Sequence, residues 1–223
     1  MKPLISALCA LLCLSAAAGA QAASARVWAD KGGVFYQGED GRARRITNSS
    51  GDRDPALSPD GRRIAYVHFA NPNGAPSQAD RSTLWVYDLT RNSTERAAAP
   101  RASTRPGRDF TRLHSPTFSN DGRTVYVMAL AWVTSDSIHA VDLQAHAEHF
   151  VTEGNSLSVI RNGPYRSDLL VSQHRYKAEG GAIDPTFVIK PDGKEVMMVP
   201  GSDGANDEAA VAAWLRKGGW SAD

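Results

Sequence analysis

The chain has 223 residues, of which 42% are hydrophobic and 22% charged, with a formal net charge of +1. These values fit a folded globular protein and exclude a collagen-like, coiled-coil or disordered chain. The near-zero charge argues against a nucleic-acid binder, and two cysteines cannot build a disulfide-rich scaffold.

Residues 1–22 read as a secretory signal. Lys2 supplies the positive start, and Leu4 to Ala18 is an apolar run of about 15 residues, shorter than a typical membrane span of about 20. Ala18-Gly19-Ala20 and Ala20-Gln21-Ala22 each offer the small-x-small pattern that a signal peptidase cuts after. Cys9 and Cys13 both lie in this segment, and each follows a leucine, which does not suit lipid attachment. Cleavage is therefore expected to leave about 201 residues with no thiol and no stable membrane span. One of the 25 basic residues lies in the segment, which leaves 24 against 24 acidic ones. An Ala-rich signal of this kind points to a Gram-negative periplasm.

The next elements are strands. Val34-Phe35-Tyr36, Asp40-Gly41-Arg42 and Arg45-Ile46-Thr47 read as strand, turn and strand, the end of a group of roughly three strands before residue 50. An internal repeat follows. Residues 54–70 read DPALSPDGRRIAYVHFA and residues 115–131 read SPTFSNDGRTVYVMALA. Aligned on Asp60 and Asp121, the copies lie 61 residues apart and match Pro55 to Pro116 and Ser58 to Ser119. Further on, the strand Leu84-Trp85-Val86-Tyr87-Asp88-Leu89 answers Ile138-His139-Ala140-Val141-Asp142-Leu143 at an offset of 54. Each Asp-Gly is a tight-turn signal, because glycine takes positive φ freely and aspartate bonds its own backbone. Four antiparallel strands per recurring unit is the pattern of a propeller blade. The loop at Asn71-Pro72-Asn73-Gly74-Ala75-Pro76 and an arginine-rich connection from Arg91 to Arg112 separate these strands.

Leu157 to Ile160, Leu169 to Tyr176 and the hairpin around Asp192-Gly193-Lys194 supply a last group, and the hairpins at Asp40-Gly41 and Asp192-Gly193 read as weaker copies of the repeat that flank the two strong ones. The total is about fifteen strands, close to four blades. One helix is expected at the C-terminus. Asp203 or Asn206 would cap it, Asp207 and Glu208 suit its positive end, and Val211, Trp214 and Leu215 form one apolar stripe. Arg216 and Lys217 suit its other end, and Gly218-Gly219 stops it. The expected fold is all-β: a small β-propeller-like domain of about four antiparallel blades over residues 23–202, with a short C-terminal helix in a tail over 203–223.

The S-P-D-G-R-R-I-A-Y-V run at 58–67, the S-N-D-G-R-T-V-Y-V run at 119–127 and the L-W-V-Y-D-L run at 84–89 resemble the TolB-type, WD40-like propeller repeat. Two strong copies cover about 54–144. The resemblance implies an exported propeller that binds protein or ligand through its end faces. Related repeats form the non-catalytic propeller of prolyl-oligopeptidase-like enzymes. Their catalytic domain needs a G-x-S-x-G elbow. The nearest run, Gly154-Asn155-Ser156-Leu157-Ser158, lacks the last glycine.

Candidate chemistry is sparse. His139, His146 and His149 have a spacing that would suit zinc if the strands folded back on each other, but His146 and His149 fall on opposite faces of a straight strand. Strand-end and turn histidines are the simpler reading, and no metal or cofactor is assigned. The loops leading into the repeats carry Asp52-Arg53-Asp54 and Arg112-Leu113-His114. In a propeller such residues converge on one end face, where a ligand or peptide binds. Trp132, near a strand end, is a stacking candidate on the same rim. Asp52 and Asp54 also have the spacing of paired carboxylates, with nothing else in support.

The expected function is thus an exported, non-enzymatic binding or scaffold module. Its site is Asp52, Arg53, Asp54, Arg112, His114 and Trp132, and its partner an envelope protein, peptide or glycan. The alternative is a small hydrolase or lyase with an acidic or metal site at the channel mouth. A third consequence is a dimer, if too few blades leave the ring open.

Overall fold

The structure is a computed structural model and describes residues 24–71, 81–204 and 207–223. The signal segment, most of the 71–76 loop and the proposed cap Asn206 lie outside the described residues. Among the described residues are seventeen strands and one helix, and fifteen of the strands form four successive antiparallel sheets. The first sheet has three strands, β1 (Arg26–Asp30), β2 (Gly33–Gln37) and β3 (Ala43–Arg45). The second runs in chain order through β4 (Asp52–Leu57), β5 (Arg63–Phe69), β6 (Ser82–Asp88) and β7 (Ser93–Ala98). The third does the same with β8 (Leu113–Phe118), β9 (Thr124–Ala129), β10 (Asp136–Asp142) and β11 (Ala147–Gly154). The fourth uses β12 (Ser158–Val159), β13 (Leu169–Ser172), β16 (Thr186–Ile189) and β17 (Glu195–Met198). A small hairpin, β14 (Arg175–Tyr176) with β15 (Ala182–Ile183), interrupts it. This is a small propeller-like all-β fold, and the hairpin accounts for the two strands beyond the expected fifteen.

The repeat has a local cause. Ser58 and Asp60 form one knot: Ser58 Oγ donates to Asp60 Oδ1 at 2.5 Å and accepts the Arg63 N–H at 2.9 Å. Asp60 Oδ1 also accepts the Arg62 N–H at 3.1 Å, and Gly61 takes φ +67°. Ser119, Asp121, Gly122 and Thr124 repeat the knot in the third sheet. These hydrogen bonds hold both carboxyls below the usual range, led by the Ser58 hydroxyl at Asp60 and by the Arg123 N–H at Asp121. The Asp-Gly pairs at 40 and 192 serve a different hairpin. They join β2 to β3 and β16 to β17, the last two strands of their sheets in chain order, so they are not copies of the same turn.

The sheets stack face to face with apolar layers between them. Strands β5 and β9 are buried on both faces, which is why IAYV and TVYVMA read as unbroken apolar runs. Val34, Ile64, Tyr66 and Tyr87 fill the layer between the first and second sheets. Ala65, Val67 and Leu84 meet Leu113, Phe118, Val125 and Val127 in the next. Tyr126, Met128 and Ile138 meet Leu169, Val171 and Phe187 in the third. The helix α1 (Asp207–Gly218) then covers the fourth sheet, with Val211, Trp214 and Leu215 on Ile160, Leu170 and Val188. It ends at Gly219, φ +66°, where the Trp220 N–H donates to the Leu215 carbonyl at 2.9 Å.

Candidate functional site

The residues expected at one end face divide between two places. The cause is a β-bulge in each repeat. Register shifts fall between Arg53 and Ala56 in β4 and between His114 and Thr117 in β8. The bulged residues Asp54 and Ser115 occupy equivalent positions, each just before a proline, and both take φ +50°. The segments around them belong to strands β4 and β8, where the sequence suggested loops.

On the third sheet the structure builds a rim. Arg112, at φ +49°, donates from Nη2 to the Leu130 carbonyl at 3.4 Å. His114 Nε2 lies 3.1 Å from Asp136 Oδ2, and its Nδ1 lies 3.2 Å from Ser115 Oγ. The Ser115 N–H donates to Asp54 Oδ2 at 3.4 Å, which ties the second sheet to the third. Between β9 and β10 the turn 130–135 carries Leu130, Trp132 (49% exposed) and Val133 (fully exposed). The Trp132 N–H donates to the Ser135 carbonyl, and Asn155 Nδ2 donates to the Thr134 carbonyl at 2.9 Å. One side of the Trp132 indole rests on Gly107, where any Cβ would sit 2.3 Å from Nε1. Thus Asp54, Arg112, His114 and Trp132 are brought together, and Arg53 stands over the Phe69 ring at 4.9 Å.

Asp52 does not join them. It is 2% exposed and faces the first sheet, where Oδ1 lies 2.7 Å from His68 Nδ1. The paired-carboxylate reading of Asp52 and Asp54 therefore fails on geometry. Near Asp52, burial raises the Tyr66 phenol, against its 2.9 Å contact with Thr94 Oγ1 and with help from the Asp52 charge.

The sequence missed Ser115 and Asp136 on the rim and His68 beside Asp52. Ser115 was within reach of the repeat alignment, since it occupies the column of Asp54. Asp136 and His68 gave no signal, because their roles depend on cross-strand register.

The three histidines weighed for zinc sit in different surroundings, and His149 is exposed on β11 opposite Ala140. His139 is fully buried between Phe110 and Phe150, 2.9 Å from Ser137 Oγ and 2.6 Å from Glu148 Oε1. His146 sits at φ +52° in the β10–β11 turn, matching Asn92 in the β6–β7 turn, and lies 3.2 Å from Glu95. Burial pushes the Glu148 carboxyl up, but the hydrogen bond and charge of His139, with Arg101, outweigh it and hold the carboxyl below its usual range. The arginine-rich connection is likewise engaged: Arg101 bridges Phe110 and pairs with Glu148, and Arg108 lies 4.1 Å over Phe150.

Ser115, His114 and Asp136 form a hydroxyl–imidazole–carboxylate array, the order of groups used in acyl transfer. Its surroundings oppose that chemistry. The Ser115 N–H, the group placed to stabilise an oxyanion, already donates to the Asp54 carboxylate, so a developing negative charge there would meet another.

No family model and no curated protein matches the chain. Among solved structures it is similar to TolB from Acinetobacter baumannii, with 19% identity over 73% of this chain and 36% of that one, and a TM-score of 0.47. It is also similar to the β-propeller domain of the Trilobed protease from Pyrococcus furiosus, with 17% identity, 74% and 47% coverage and a TM-score of 0.48. Dipeptidyl peptidase 4 from Porphyromonas gingivalis follows, with 9% identity, 78% and 30% coverage and a TM-score of 0.49. The chain spans less than half the length of each of these structures.

Proposed function

We propose that the chain is an exported, non-enzymatic binding module that docks a protein or peptide of the cell envelope on the rim around Trp132. The observation that carries this reading is the exposure of Trp132 and Val133 beside Arg112, the His114–Asp136 pair and Asp54. Tryptophan and arginine dominate binding hot spots, and a contiguous exposed apolar patch rimmed by polar groups marks an interaction surface. The rim turn is tied by the Trp132 N–H to Ser135 and Asn155 Nδ2 to Thr134 hydrogen bonds, which lowers the ordering entropy that binding must offset.

The test is capture from an envelope extract with wild type, Trp132→Ala and Val133→Asp. A specific protein retained by wild type and lost by both variants supports the rim. No wild-type-specific protein, or one retained equally by both variants, refutes it. Residues 1–22 act as the export signal in this reading, and the mass of the protein recovered from a periplasmic fraction tests that. Light scattering on the purified protein decides whether two copies associate, since a strict monomer removes the dimer.

A hydrolase reading draws on the Ser115–His114–Asp136 array. The Asp54 carboxylate on the Ser115 N–H weighs against it.

A further inference from the structure

A second cleft lies apart from the rim, between the first and second sheets. Strand β3 is three residues long, and the chain crosses from it to β4 through Thr47, Asn48 and Ser49. The second sheet's facing strands run further outward, so part of that face stays open beside the crossing. The cavity is about 310 Å³, the lower end of the usual size for a small-ligand site. Its floor is aromatic. Tyr66 and Trp85 are direct cross-strand partners, and Tyr87 is two residues along β6. Asp52 and His68 close one end, and Thr94 and the Tyr66 hydroxyl lie on the floor.

The charge of the cleft narrows what it can hold. Among the described residues no arginine or lysine lines it, so an anion finds no counter-ion among them. Its single carboxylate, Asp52, is 2% exposed, with Oδ1 hydrogen-bonded to His68 Nδ1, so little of it faces a cation in the cleft. What remains is the half-buried Trp85 indole, the side-chain hydroxyls of Thr47, Ser49, Thr94 and Tyr66, and the Asn48 amide. That amide makes no hydrogen bond among the described residues. A ligand that matches must be uncharged, with an apolar flat side and a polar edge. A sugar ring has this form: its C–H face packs on an aromatic ring while its hydroxyls take amide and hydroxyl partners.

We propose that this cleft binds a neutral glycan, with one sugar ring packed on Trp85 and its hydroxyls held by Asn48, Ser49 and the Asp52–His68 pair. The site is independent of the rim.

The test is calorimetric titration of the exported protein with chitotetraose, maltohexaose and cellohexaose, and with a proline hexapeptide as the competing flat, uncharged ligand. At least one sugar is expected to bind saturably below about 10 mM. Asn48→Ala should weaken it about 3–10-fold, the range of one hydrogen bond. Trp85→Ala should weaken it at least about 10-fold. Trp85 also packs on the core, whereas Asn48 is exposed and bonds nothing among the described residues, so Asn48→Ala tests the site with the fold intact. Trp132→Ala should leave the affinity unchanged, which separates this site from the rim. The proposal is overturned by no saturable binding of any of the three sugars, by binding that survives both cleft variants, or by saturable binding of the proline peptide alone.

Discussion

Ser115 is held at φ +50° in a bulge directly before Pro116, a backbone region that a residue with a Cβ enters at a cost of about 1–2 kcal/mol. Two substitutions isolate that cost. Ser115→Gly and Ser115→Ala both remove the hydroxyl and its 3.2 Å contact with His114 Nδ1, and both keep the N–H that donates to Asp54. They differ in the Cβ alone. Alanine keeps the strain, whereas glycine relieves it and gives back part of the gain by loosening the unfolded chain, about 0.4–1 kcal/mol. The net expectation is that Ser115→Gly is more stable than Ser115→Ala by about 0.5–1 kcal/mol. For a domain of this size that is a Tm difference of about 1–4 °C. Thermal melts by circular dichroism and urea titrations by tryptophan fluorescence both read it. Asp54 offers the same comparison in the preceding sheet, at the same φ. An alanine variant as stable as the glycine variant at both sites would refute the reasoning. It would mean that the bulges are not left-handed in solution and that the rim is not built on them.

Ser115 should remain unlabelled by a fluorophosphonate, read by intact mass, because Asp54 occupies the N–H an acyl intermediate would use; stoichiometric labelling would revive the hydrolase reading. Gly163→Ala should cost about 2–4 kcal/mol in a urea titration, since its Cβ would sit 2.3 Å from Trp220 Cδ1 and its φ is +80°. Glu148 is held below its usual range in the fold, so it adds stability at pH values above its ordinary 4.5 that is lost as pH falls through the lower folded value. Glu148→Gln should therefore flatten the acid limb of the stability–pH curve, measured by urea titrations between about pH 5 and 3. Asp60 and Asp121 shift in the same direction and leave a residual slope in that variant.

The sheets were legible because their signals are local. The Ser-x-Asp-Gly knot closes within five residues, and a strand buried on both faces has no polar alternation to disguise it. The helix was legible for the same reason, from its charged ends and one apolar stripe. The hairpin at 175–183 was not: β14 and β15 are two residues each and largely exposed, so composition hardly distinguishes them from loop. The Asp-Gly pairs at 40 and 192 misled because one turn chemistry serves both the first and the last hairpins of a sheet. Nothing local says which.

The site was harder, and Asp52 shows why. Residues two apart on a strand share a face, so Asp52 and Asp54 read as neighbours aimed at one ligand. A bulge breaks that parity by adding a residue to one strand only. Asp54 takes the left-handed conformation and turns to Ser115, while Asp52 stays in register opposite His68 and is buried against the first sheet. One residue of slippage thus sends two carboxylates of one tripeptide to two surfaces of different chemistry. The rim presents exposed tryptophan and valine among ionic groups, and the cleft presents an aromatic floor with no arginine or lysine among its described lining residues. The alignment of Asp54 with Ser115, both before proline, carries the trace of this event. A polar residue preceding proline at the same place in successive repeats marks where the strand leaves its period, and side chains on either side of it should be assigned to different faces.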